Sequence, residues 1–92
     1  MALIRCDNVT KGMRSSERTV AVKDARGRKE FLRVELDFLT QHGEEYWLPV
    51  GVLHEDSSHK AALIELPQES ESGTNRFWAK LTDLRELEPS HA

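Results

Sequence analysis

Residues 19–36 read TVAVKDARGRKEFLRVEL. Val20 and Val22 stand two apart between Thr19 and Lys23, and Leu32, Val34 and Leu36 alternate with Phe31, Arg33 and Glu35. A period of two marks a strand with one face on a core, because successive side chains on extended backbone point to opposite sides. Between the two runs stand Asp24-Ala25-Arg26-Gly27-Arg28, a hairpin connection with Gly27 placed to take a positive φ. The stretch predicts an antiparallel hairpin with Val20, Val22, Leu32, Val34 and Leu36 inward. It sets the class of the chain as all-β.

Working outward, Leu3 to Cys6 is short and apolar, a candidate first strand. Residues 10–18 are polar and contain Gly12, which predicts a loop. After the hairpin, Leu36 to His42 offers helical turns that Gly43 would stop, with Phe38 and Leu39 packing them down. Glu45 to His54 is a long strand, expected to be bent or partly at an edge around Pro49 and Gly51, because proline lacks a ladder donor and glycine permits a bend. Glu55 to Lys60 is a polar turn, and Ala61 to Leu66 a strand that Pro67 ends. Gln68 to Thr74 predicts an acidic, flexible connection, and Asn75 to Leu81 the last clear strand. Thr82 to Leu87 fits one helical turn capped by Thr82, or a short closing strand, and residues 88–92 a flexible polar tail.

Many short strands with turn signals and only short helical turns argue for a sandwich or barrel. The layout resembles the SH3-like architecture: a long loop early, tight hairpins later and a one-turn helix near the end. The expected fold is a five-stranded SH3-like bent barrel, one domain over residues 1–92, with an OB-like barrel as the alternative. The signatures of the peptide-binding SH3 family are absent from the sequence, so the resemblance is to an architecture, and architecture carries no function.

Composition narrows the classes further. Charged residues make up 32% of the 92, with a formal net charge of −3. From Lys11 to Arg33 eight basic residues face three acidic ones, whereas from Val34 onward four face twelve. Bulk charge argues against a general nucleic-acid binder, yet one third of the chain can make a basic face. No apolar run nears the roughly 18 residues of a membrane span. The opening MALIRCDNVTKG lacks the apolar stretch of a signal peptide, so the chain is expected in the cytoplasm, away from membranes. Cys6 is the only cysteine, which excludes an internal disulfide and a cysteine-rich zinc site.

The candidate site comes from strand parity. In NRFWAK, residues 75–80, Arg76, Trp78 and Lys80 share one face while Phe77 and Ala79 share the other. Two unpaired cations do not share a thin core, so Trp78 is expected outside. Lys29, Phe31 and Arg33 repeat the device. Trp47, alternating with Leu48 and Val50, is expected outward as well. Lys29, Phe31, Arg33, Trp47, Arg76, Trp78 and Lys80 are therefore the candidate binding residues. Their bland alternative is a second small core under the first segment or the Leu36–His42 turn.

Exposed aromatics rimmed by cations suit a protein partner or a second copy of the chain, since Trp and Arg dominate binding hot spots. The alternative is single-stranded nucleic acid, bases stacking on the rings and phosphates on the cations. His54 and His59 bracket an acidic turn but match no zinc spacing, and Ser57 or Ser58 with His59 are adjacent exposed side chains on a mobile turn, which rarely hold a nucleophile–base geometry. The expectation is a non-catalytic module without metal or cofactor.

Overall fold

The structure, a computed structural model, describes residues 1–86; the expected tail at 88–92 lies outside the described residues. Nine strands and two short 3-10 turns make up these residues, in place of the five strands expected. The strands are β1 (Ala2–Arg5), β2 (Asn8–Lys11), β3 (Glu17–Lys23), β4 (Lys29–Glu35), β5 (Thr40–His42), β6 (Glu45–Asp56), β7 (Ala61–Glu65), β8 (Arg76–Lys80) and β9 (Leu84–Glu86). They form two antiparallel sheets, neither closed. One runs β8-β7-β6-β1-β9 with β5 also on β6, and the other runs β2-β3-β4.

The hairpin that set the class is β3–β4, paired from Glu17↔Glu35 to Lys23↔Lys29, with Gly27 at φ +83°. Val20, Val22, Leu32 and Val34 are buried as expected, and they meet Ala2, Ile4, Leu48, Val50, Ala62, Ile64 and Ala79 of the larger sheet in one core. Leu36 leaves the alternation and opens the first 3-10 turn, Leu36–Phe38.

One continuous piece of chain joins the sheets. β1 pairs with β6 and β9, and after Arg5 the chain crosses to β3. Cys6 N still donates to Tyr46 O at 2.9 Å, whereas Asp7 N already donates to Ala21 O at 2.7 Å. The polar stretch read as a loop therefore begins as strand β2, because its main-chain groups have a partner on β3.

β6 is continuous through Pro49 and Gly51, and at Pro49 one of its sides is an unpaired edge. Tyr46 O faces β1, and parity turns the polar groups of Pro49 to the opposite side. On that side β5 ends at Thr40↔Trp47 and β7 begins at Gly51↔Glu65. Pro49 falls in the gap, where a missing donor costs nothing. The irregularity lies at Leu53 instead, between Val52↔Ile64 and His54↔Leu63. A bulge of this kind inserts one unpaired residue and raises the local twist.

The Leu36–His42 segment is a 3-10 turn followed by β5, not a longer helix. Phe38 is exposed there, and Leu39 alone of the pair packs against the core. Near the end, a second 3-10 turn spans Leu81–Asp83 with Lys80 at its N-cap position and no side-chain cap, and β9 follows. None of the described helices is long and apolar enough to cross a membrane.

Candidate interaction surface

Trp78 lies on the outer face of β8, 41% exposed, as strand parity requires. Pairing places it beside Leu63 of β7, and Leu63 beside His54 of β6, so the three form one row across three strands. The His54 ring meets the indole edge-on, with centroids 6.0 Å apart and planes at 90°. At the bulge Val52 and Leu53 are exposed as well. The row above is charged: Arg76 donates to Glu65 Oε2 at 3.0 Å. Arg76 is thus engaged within the chain, though an exposed pair of this kind contributes only about 0–1 kcal/mol.

Beside Trp78, the β3–β4 turn docks on β8. Ala25 N donates to Trp78 O at 2.6 Å. A cleft of about 300 Å³ results, lined by Asp24, Ala25, Arg26, Arg28, Phe77 and Trp78. Asp24 Oδ1 is spent on the backbone N–H groups of Arg26 and Arg28, both at 2.9 Å. Its other oxygen lies 3.8 Å from Arg28 Nε, and Arg26 has no ion pair among the described residues. The cleft therefore combines the aromatic residues of β8 with an excess of positive charge.

The structure does not gather the other candidates around Trp78. Phe31, also 41% exposed, sits on β4 in the smaller sheet. Lys29 and Lys23 share the Asp7 carboxylate at 3.1 and 3.2 Å. Lys29 first, then Lys23, holds the Asp7 carboxyl below the usual range. The Arg33 guanidinium has no ion pair among the described residues. Lys80 borders a separate polar depression with Asp7, Lys23 and Asp83. The candidates divide between two sheets rather than forming one face.

Trp47 is a correction. It is on the outer side of β6, as parity demands, yet only 9% exposed. Its strand neighbours are Arg5 on one side and Thr40 of β5 on the other. The Arg85 guanidinium carbon lies over its ring, 5.5 Å from the centroid. Leu3 is buried on the same side, opposite Pro49 and Arg85. The second small core exists, and it takes Trp47 while leaving Trp78 uncovered. Trp47 Nε1 is buried with no acceptor among the described residues.

The Glu55–Lys60 turn is organised by Asp56. Its Oδ1 accepts from Ser58 Oγ at 2.7 Å and from the backbone N–H groups of Ser58 and His59, and its Oδ2 lies 2.7 Å from His59 Nδ1. Those bonds, the Ser58 hydroxyl foremost and His59 next, hold the Asp56 carboxyl at about 2. Ser58 Oγ and Asp56 approach the same imidazole nitrogen, so the arrangement closes a turn and does not line up nucleophile, base and orienting acid. Among the described residues no three His, Cys, Asp or Glu side chains converge as a metal site.

His54, Leu63, Leu53, Arg26 and Arg28 were not foreseen as part of the surface. Their adjacency to Trp78 depends on strand order and on the Leu53 bulge, neither of which alternation encodes. Comparison of the chain with protein-family models, curated proteins and solved structures returned no match.

Proposed function

We propose that the chain is a non-catalytic interaction module that binds a protein partner, another copy of itself included, through the outer face around Trp78. One observation carries the reading: of the two outward tryptophans, Trp47 is covered by the chain's own residues and Trp78 is left open beside His54 and Leu63. An exposed tryptophan next to arginines is the composition of binding hot spots. The two sheets then serve as halves of an SH3-like bent barrel. The shared β1–β2 segment and the Ala25–Trp78 hydrogen bond support that view. A cytoplasmic setting suits Cys6, the single thiol, since reducing compartments keep thiols unpaired.

A second reading, single-stranded nucleic acid, is favoured by the cleft in which Arg26 and Arg28 flank Trp78 and Phe77. One NMR experiment separates the two: the indole N–H signals are followed on dilution, then on adding a mixed single-stranded oligonucleotide at low and high salt. A Trp78 signal that moves on dilution supports self-association. One that moves with oligonucleotide and recovers in salt supports nucleic acid, because counterion release makes phosphate binding salt-sensitive. A Trp78 signal that stays fixed in both, and exchanges as slowly as that of Trp47, overturns the reading of an open face.

A further inference from the structure

β4 is an edge of the smaller sheet, and its free side is covered. The acidic segment between β7 and β8, expected to be flexible, is instead a strap along that side. Glu71 N donates to Phe31 O at 2.8 Å, and Gln68 Nε2 donates to Arg33 O at 2.6 Å. The strap is tied at its base, where Leu66 N donates to Asn75 O at 2.8 Å and Asn75 Nδ2 donates to Leu66 O at 3.3 Å. Its catch is Glu30. This carboxylate lies on the inward side of β4, 8% exposed, and its Oε1 accepts from Ser70 Oγ at 2.7 Å and Ser72 Oγ at 2.6 Å. A carboxylate left there without donors would be costly, so the serines hold the strap closed.

The covered edge is self-complementary. A second β4 laid antiparallel and centred on Leu32 sets Lys29 opposite Glu35 of that copy and Phe31 opposite its Arg33. The Lys29–Glu35 contact, made twice by the two-fold, pairs opposite charges, and each ring meets a guanidinium. In this register Phe31 and Arg33 are the hydrogen-bonding positions, and their carbonyls are the two that the strap now occupies. Strap and second strand compete for the same acceptors.

We infer that the β4 edge is a strand-addition site for a second copy of this chain, held shut by the 67–75 strap latched on Glu30. The inference rests on the reading of the chain as an interaction module and names a copy of itself as partner. Opening requires the serines to leave Glu30, and pairing requires Lys29 and Glu35 to exchange their present partners, Asp7 and Arg14. The two-fold contact is closed, so it ends at a dimer rather than a fibre.

The test is sedimentation velocity over a concentration series, with amide exchange at Phe31 and Arg33 measured on the same samples. The latch variant combines Glu30→Gln, Ser70→Ala and Ser72→Ala. It is expected to dimerise at a concentration about tenfold lower than the native chain. In that background Lys29→Glu or Glu35→Lys weakens the dimer about tenfold, and the two together restore it. Should the latch variant lose its fold, Gln68→Ala with Glu71→Pro removes both strap donors from the edge while the serine latch stays, and a dimer is expected at a concentration between those of the latch variant and the native chain. A folded variant with fast β4 exchange that stays monomeric overturns the inference, and the strap is then only an edge guard. A dimer indifferent to the charge changes but lost on Trp78→Ala also overturns it, while the Trp78 reading stands.

Discussion

Arg85 covers Trp47, with its guanidinium carbon 5.5 Å from the ring centroid, and so closes the outer side of β6 with an arginine from the last described strand. Arg85→Ala removes that cover. The expected cost is about 0.5–1 kcal/mol, the worth of an exposed cation–π contact. The Trp47 indole N–H then exchanges faster with solvent while that of Trp78 keeps its rate, which NMR exchange measures directly.

Truncations on the two sides of β7 and β8 should differ in size. Ile64 is fully buried, so Ile64→Ala is expected to cost about 2–5 kcal/mol. Trp78→Ala, on the outer face, is expected to cost about 1–2 kcal/mol and to leave the fold intact, below the roughly 3–5 kcal/mol of a buried aromatic. Urea midpoints of the two variants decide this, and a Trp78→Ala loss equal to that of Ile64→Ala would place Trp78 in the core.

Acid should loosen the Glu55–Lys60 turn. Asp56 has a folded pKa of about 2 against an ordinary 3.8. A depressed carboxylate contributes its stability in full above the unfolded value, and loses it as pH falls through the folded one. The Ser58 amide signal should therefore follow the Asp56 carboxyl, with its acid transition centred near pH 2 rather than near 4. Carboxyl carbon shifts of Asp56 give the midpoint, and a midpoint near 4 would mean that the turn's hydrogen bonds do not form in solution.

Cys6 should resist alkylation. Burial pushes its thiol up to about 12, so the thiolate is scarce near neutrality. Iodoacetamide at pH 8 is expected to modify the native chain roughly a hundredfold or more slowly than the urea-unfolded chain, because the thiolate is the attacking form. Equal rates in the two states would show that the β1–β2 crossing opens freely.

The class and the central hairpin were legible because burial leaves a direct period-two trace. Val20, Val22, Leu32 and Val34 all follow it, and so do the outward places of Phe31 and Trp78. Parity tells which side of a strand a residue occupies, and nothing about what lies on that side. Trp47 shows the difference: its side was correct, and its cover came from Arg85 of β9, with a strand neighbour in Thr40 of β5, the segment whose apolar residues Phe38 and Leu39 suggested a helix. Thr40 to His42 became a strand because β6 offers a free side there, a tertiary gain that local propensity does not record. Glu30 was passed over for a similar reason. On an inward position it reads as a misfit until Ser70 and Ser72, some forty residues later, supply its donors.

The pairing of β1 with both β6 and β9 also orders events in time. As the chain leaves the ribosome, β3 and β4 can meet as soon as their turn is made, and β6, β7 and β8 can pair as successive neighbours. β1, made first, must wait for β6 and then for Leu84 to Glu86 before both its edges are satisfied. Contacts so distant in sequence are slow to form and leave strand edges bare meanwhile. Ala2 to Arg5 is thus the strand that waits longest for its partners, and the last of them arrives only with β9.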